Sequence, residues 1–189
     1  MIKIIGIAGS IRIGSYNKAL LINAQKLMPP ESELEIFDLK DIPLFNQDLE
    51  HDLPPSVKAL KHAVKSADGV LISTPEYNYS FSGVLKNALD WITRPSEDNS
   101  ISGKIVAIMS VSVGRFGGIR AQYHLRQVLT GLNTYTLTNP EIFVTFADKK
   151  FDEQRNLTDA QAVELLKSLL NNMVMAARTR SISLITPTS

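Results

Sequence analysis

Apolar residues along this chain fall into short unbroken runs alternating with stretches in which they recur every three or four positions. The runs Ile2 to Ala8, Gly69 to Ser73 and Ile105 to Val111 lack polar alternation, as strands buried on both faces of a parallel sheet do. Leu34, Ile36 and Leu39 alternate with Glu35 and Asp38, the pattern of a strand nearer an edge. Between them, Leu20, Leu21, Ala24, Leu27 and Met28 keep helical spacing until Pro29-Pro30 stops the helix. Pro54-Pro55 opens a second helix through Val57, Leu60 and Val64, with proline in the first turn where a missing N–H does no harm. A third carries Val84, Leu85, Ala88, Leu89 and Ile92 on one face, and a fourth runs from Ile119 to Thr130 with Gly131 placed as a left-handed cap. Lys40 to Leu53 has no period and reads as a loop, and Tyr135 to Phe146 reads as a fifth strand split or kinked at Pro140. The last helix is expected to begin at Thr158, where Thr158 and Gln161 make a capping-box pattern ahead of Val163, Leu166, Leu169, Leu170 and Met173. Periodicity fades beyond Ala177, so residues 1–180 are expected to form one domain and residues 181–189 a frayed tail.

Alternating strands and helices imply an α/β doubly wound parallel sheet, because parallel neighbours need crossovers and the crossovers supply helices to both faces. Ligands of such sheets sit beyond the carboxyl ends of the strands, where the strand order switches. The loops after the first, third and fourth apparent strands should therefore converge on one site.

Composition narrows the chemistry. A chain of 189 residues can bury roughly 70% of its unfolded surface without a metal or disulfide. With a net charge of +1 and scattered Lys and Arg, it shows no electrostatic footprint for nucleic acid or for a membrane surface. The absence of cysteine removes disulfide scaffolds, thiol nucleophiles and cysteine-ligated zinc, so redox chemistry would need a bound cofactor. Neither a secretory signal nor a spanning run is visible, which gives the expectation of a cytoplasmic protein. His51, His62 and His124 are too dispersed to suggest a metal or a triad, and each reads as a surface or helix-end histidine.

The first converging loop is Gly9-Ser10-Ile11-Arg12-Ile13-Gly14-Ser15-Tyr16-Asn17. A strand, a glycine- and hydroxyl-rich turn and a helix start together present free N–H groups and a positive helix end to an anion. Neither the dinucleotide spacing G-x-G-x-x-G nor a Gly-Lys-Ser/Thr ending is present, so the turn reads as a cradle for a phosphate monoester, with Arg12 as a planar fork of donors. The plainer alternative is an ordinary strand-helix turn with a solvent-facing Arg12. The second loop, Thr74 to Gly83, suits a flat heteroaromatic ring: Tyr77 or Tyr79 can cover a face while Asn78 meets polar ring atoms, or the tyrosines are simply surface or interface aromatics. The third, Ser112 to Gly118, is glycine-rich and lets backbone approach a ring closely, or serves as a plain turn into the next helix.

Three ordered motifs carry a family resemblance over roughly residues 2–175. Gly9-Ser10-x-Arg12-x-x-Ser15-x-Asn17, Pro75-Glu76-Tyr77-Asn78-x-Ser80 with Gly83-x-Leu85-Lys86-Asn87-Ala88-x-Asp90-Trp91, and Gly117-Gly118-x-Arg120-Ala121-Gln122 with Leu125-Arg126-Gln127 resemble the NAD(P)H-dependent FMN reductases, flavodoxin-like reductases of quinones, chromate and azo dyes. The resemblance implies a flavodoxin-like five-stranded sheet of order 2-1-3-4-5, noncovalent FMN, and NADPH or NADH as co-substrate. It implies that Ser10, Arg12, Ser15 and Asn17, with Tyr16 among them, hold the phosphate. Pro75, Glu76, Tyr77, Asn78 and Ser80 would line the flavin ring, and Ser112, Gly114 and Gly117 its other side. No catalytic side chain is implied, because the flavin carries the hydride.

Electrons would pass by a ping-pong reaction to quinones, free flavin, azo compounds or metal oxyanions such as chromate. A homodimer or homotetramer is implied too, with residues around Lys86 to Trp91 and Tyr123 to Arg126 as candidate contacts. Trp91 otherwise reads as core packing, Asp90 as a partner for Arg94 or Arg126, and Glu76 as structural. Phe81-Ser82-Gly83 departs from the family's usual proline before the glycine. Rival readings are a nonenzymatic flavodoxin-type electron carrier, disfavoured by the near-neutral charge, and a flavin-dependent regulatory protein.

Overall fold

A computed structural model describes residues 1–185, and for 181–185 the backbone alone. The sheet holds β1 (Ile2–Ala8), β2 (Ser32–Phe37), β3 (Gly69–Ser73), β4 (Ile105–Val111) and a fifth strand in two pieces, Tyr135–Thr136 and Ile142–Val144. Their spatial order is β2-β1-β3-β4 followed by both pieces of the fifth strand, and every pairing is parallel. The long helices are α1 (Tyr16–Lys26), α2 (Pro55–Ser66), α3 (Gly83–Ile92), α4 (Ile119–Gly131) and α5 (Ala160–Ile185). This is the flavodoxin-like arrangement that the pattern and the resemblance predict.

Both faces of the sheet are apolar, which is why β3 and β4 are continuous hydrophobic runs. On one side Leu20, Leu21, Leu166, Leu170 and Met173 of α1 and α5 pack against Ile4, Leu71 and Met109. On the other, Leu60, Val64, Leu85, Leu89, Leu125 and Leu129 of α2, α3 and α4 cover Ile5, Ile72 and Ile108. The chain leaves β1 for β2 on one side and crosses back to β3 on the other, so the strand order switches beside β1.

The split fifth strand has a specific brace. Its halves pair with opposite ends of β4, and the fully buried Gln122 of α4 donates from Nε2 to the Ile142 carbonyl (2.7 Å) and to Ser110 Oγ (2.7 Å). A side-chain amide thus supplies a bond where Pro140 interrupts the ladder.

Three local expectations are corrected. Gly131 is not a left-handed cap: α4 runs through it, and Asn133 takes the positive φ (60°). The last helix is capped by Asp159, whose Oδ1 accepts from Ala162 N–H (2.9 Å), while Thr158 Oγ1 donates to the Lys150 carbonyl (3.1 Å). That helix continues past Arg178 to Ile185 although its period weakens; residues 186–189, the end of the expected frayed tail, lie outside the described residues.

Candidate active site

Three loops meet at the carboxyl ends of β1, β3 and β4 and enclose a cleft lined by Ser10, Arg12, Ser15, Tyr16, Asn17, Pro75, Glu76, Tyr77, Val111, Ser112 and Val113. Gly9 lets the first two loops touch. Its N–H bonds to the Ser73 carbonyl (2.8 Å), and a Cβ there would lie 3.0 Å from Thr74 Oγ1 and 3.1 Å from Ser82 Oγ.

The first loop ends in a well-formed helix start. Ser15 caps α1, its Oγ accepting from Lys18 N–H (3.3 Å), which leaves its own proton to donate outward. The N–H groups of Tyr16 and Asn17 find no acceptor among the described residues, as expected of the first turn of a helix. Arg12 is exposed and forms no ion pair among the described residues, so its guanidinium is free for a ligand. Free N–H groups, a helix dipole, two hydroxyls from Ser10 and Ser15 and an uncommitted Arg form a donor set without a carboxylate, which fits a phosphate monoester.

Asn17 has a role that its sequence position does not reveal. It is 3% exposed, and its Oδ1 accepts from Val111 N–H (3.2 Å) and Ser73 Oγ (3.0 Å) while Nδ2 donates to the Val111 carbonyl (3.1 Å). Its carboxamide ties the start of α1 to the ends of β3 and β4. One amide hydrogen and the backbone N–H remain for the cleft.

The second loop is a tight hairpin, Glu76–Tyr77 against Ser80–Phe81, turned by Asn78 (φ 49°) and Tyr79 (φ 68°). Both central residues being left-handed is the geometry that matches strand twist in two-residue turns. A tyrosine there is strained, and a stack holds it: Arg120 lies 4.0 Å from the Tyr79 ring centre and 4.5 Å from that of Phe116. Glu76 completes the tie, its Oε1 lying 2.5 Å from Arg120 Nε and its Oε2 accepting from Arg120 N–H (3.1 Å). Glu76 therefore locks hairpin to α4, the structural role among those its sequence position allowed. Tyr77 stands exposed at the rim of the cleft.

Not every candidate reaches this cleft. Asn78 is at the exposed hairpin tip and Ser80 Oγ lies 3.2 Å from His124 Nδ1, and neither lines the cleft. Gly114 lies in the exposed part of the third loop, where its N–H donates to Ser112 Oγ (3.1 Å). Gly117 (φ 59°) is a packing residue, since a Cβ there would lie 2.9 Å from the Phe143 carbonyl carbon. Ser82 explains the departure from the family's proline: its Oγ caps α3 by accepting from Leu85 N–H (3.2 Å).

Away from the site, Trp91 is fully buried and donates from Nε1 to the Pro43 carbonyl (2.8 Å), and Asp90 pairs with Lys86 (2.7 Å), not with Arg94 or Arg126. His51 and His62 are exposed at separate points. Sequence reasoning missed Val111 and Val113, which close the cleft floor and rim, and Arg155, whose guanidinium lies 4.0 Å from the Tyr16 ring centre. For Arg155 no local signal exists, because it reaches the first loop from a connection near the other end of the chain. Among the described residues no helix is long and apolar enough to cross a membrane.

The comparisons agree with this geometry. The profile of the NADPH-dependent FMN reductase family matches residues 2–149. An NAD(P)H-dependent FMN reductase of Pseudomonas aeruginosa is 46% identical over 178 residues, 94% of this chain and 96% of that protein. A quinone reductase of Escherichia coli is 39% identical over 156 residues, 81% of this chain and 82% of its own. Among solved structures, the flavoenzyme FerB of Paracoccus denitrificans, an NAD(P)H:(acceptor) oxidoreductase, superposes with a TM-score of 0.87 at 32% identity, covering 95% of this chain and 98% of that one. With the three-loop cleft and its phosphate-type donor set, these matches establish that the chain belongs to the NADPH-dependent FMN reductase family and is an oxidoreductase with FMN as cofactor and a reduced nicotinamide nucleotide as co-substrate.

Proposed function

We propose that FMN binds noncovalently with its phosphate at the start of α1 and its ring toward Pro75, Glu76, Tyr77 and Ser112, and that NADPH or NADH reduces quinones at this site by a ping-pong reaction. The observation that carries this reading is the convergence of unpaired donors, the N–H groups of Tyr16 and Asn17 with Arg12 and the Ser10 and Ser15 hydroxyls, at one end of a cleft whose other walls are Pro75, Tyr77 and Val113. A flavin held by Arg12, Ser10, Ser15 and the start of α1 would supply the redox chemistry, hydride acceptance from a reduced nicotinamide and electron delivery to an acceptor.

This chain's residues bind, orient and shield. Arg12 and the helix start fix the anionic end, which sets how far the ring reaches along the cleft. The Glu76–Arg120 tie and the Tyr79–Arg120–Phe116 stack hold the second and third loops at a fixed separation, and Tyr77 covers the open side. With no proton-transfer residue dictating acceptor shape, free flavin, azo compounds and chromate join quinones as proposed acceptors. A homodimer or homotetramer in a cytoplasmic setting completes the proposal, with the exposed Tyr123 and His124 of α4 beside Lys86 of α3 as the face between copies; Trp91, fully buried, takes no part.

Initial rates of NADPH and NADH oxidation by the FMN-loaded protein, measured at several fixed benzoquinone concentrations, test this. Parallel double-reciprocal lines are expected. Intersecting lines would exclude the ping-pong order, and a flavin left oxidised for minutes by both nucleotides would exclude the reductase.

A further inference from the structure

The connection between the fifth strand and α5 holds two residues in a left-handed conformation that their side chains do not favour, Phe146 (φ 50°) and Arg155 (φ 64°), and the second of them faces the first loop. The Arg155 backbone is firmly held. Asn23 of α1 donates from Nδ2 to the Arg155 carbonyl (2.9 Å), and its Oδ1 accepts from Leu157 N–H (2.9 Å). Asp152 is engaged with Asn156, accepting from its N–H (2.7 Å) and Nδ2 (2.9 Å), and the Arg155 N–H closes the turn on the Asp152 carbonyl (3.0 Å).

This bracing aims a guanidinium at the first loop. Arg155 lies over Tyr16, and its Nη2 is 3.8 Å from where a Cβ of Gly14 would stand; Arg12 Nη2 is 3.9 Å from the same point. The two cations thus both lie beside Gly14, within about 8 Å of each other, the triangle bound on those two distances. Coulomb repulsion between them is uncompensated, for neither has a carboxylate partner among the described residues, and the nearby Lys18 is already paired with Asp38 (2.6 Å). Nη1 of Arg155 is buried with no hydrogen-bond acceptor. Two unpaired guanidiniums close to a helix start, one with a buried, unsatisfied donor, are short of an anion.

We propose that Arg155 is a second cation for the FMN phosphate, joining Arg12 beside Gly14 from the Tyr16 side of the cradle. This rests on the assignment of the cradle to FMN and adds a positioning residue to it. Two guanidiniums favour the phosphate dianion over the monoanion, so the bound phosphate stays dianionic well below its free second pKa of about 6.

The test titrates apoprotein with FMN and with riboflavin, for the wild type, Arg155→Met, Arg155→Lys and Arg12→Ala, and follows the bound phosphate by 31P NMR against pH. Arg155→Met is expected to lose about 10- to 150-fold in FMN affinity with riboflavin affinity unchanged, and its phosphate resonance titrates at higher pH than in the wild type. Arg155→Lys, which meets the same backbone strain but keeps the charge, loses less. If Arg155→Met binds FMN like the wild type, or loses FMN and riboflavin equally, Arg155 only packs on Tyr16 and the proposal is overturned. Arg12→Ala separates that failure from a deeper one: discrimination lost there but not at Arg155 leaves the cradle standing, whereas no discrimination at either residue removes the cradle itself.

Discussion

Replacing Asn17 by alanine removes a side chain that is 3% exposed and makes three hydrogen bonds, two to the backbone of Val111 and one to Ser73 Oγ. Each is worth about 0.5–1.5 kcal/mol net, and a buried group left unsatisfied adds about 1–3 kcal/mol. Asn17 lines the cleft, so water can reach part of the gap, and the Ser73 hydroxyl can rotate to another acceptor. The loss is therefore about 3 kcal/mol, or roughly 6–12 °C in Tm for a domain of this size. Urea unfolding of the apoprotein followed by far-UV circular dichroism measures it without flavin. Asn17→Asp should be worse than alanine, because a carboxylate oxygen would then face the Val111 carbonyl. A loss below about 1 kcal/mol in the apoprotein, combined with weakened FMN binding, would refute the clamp and return Asn17 to the phosphate-binding role its sequence position suggests.

Other substitutions probe the remaining parts. Arg12→Ala should weaken FMN by about 10- to 150-fold and leave riboflavin unchanged, read by fluorescence titration. Gly9→Ala should destabilise by about 1–3 kcal/mol, since its Cβ meets Thr74 Oγ1 and Ser82 Oγ at close range; an unfolding midpoint equal to wild type would show that the loops give way. The Lys65 hydrogen bond holds the Asp98 carboxyl below its ordinary pKa, and Lys18 does the same for Asp38. Carboxyls depressed in the folded state contribute stability above their unfolded pKa of about 4 and lose it as pH falls through the folded value, so the urea midpoint should drop below about pH 4 and Asp98→Asn should flatten the fall.

The sheet was legible because its signals are local. Unbroken apolar runs at β3 and β4, helical spacing between them and Pro29-Pro30 at a boundary each report on a few adjacent residues. Pro140 even marked the break in the fifth strand, though not that Gln122 would bridge it. Of the site, the donor-rich start of α1 and the wall at Pro75 to Tyr77 were readable for the same reason. What was not readable depends on distant partners: Asn17 on Val111, Glu76 on Arg120, and Arg155 on Tyr16. Asn78 reads as a ring contact from its amide, and Ser80 from the family motif alone, and neither signal reports the tight hairpin that puts one at its tip and the other beside His124. Competition between neighbouring cap candidates explains the smaller errors, Asp159 prevailing over Thr158 and Asn133 over Gly131.

The central claim is that three loops at the rim of the sheet hold FMN by its phosphate. Flavin fluorescence during titration of the apoprotein tests it most directly: saturable binding of one FMN per chain, tighter than that of riboflavin, is the predicted result. An apoprotein that leaves FMN fluorescence unchanged, or binds riboflavin just as tightly, would contradict it.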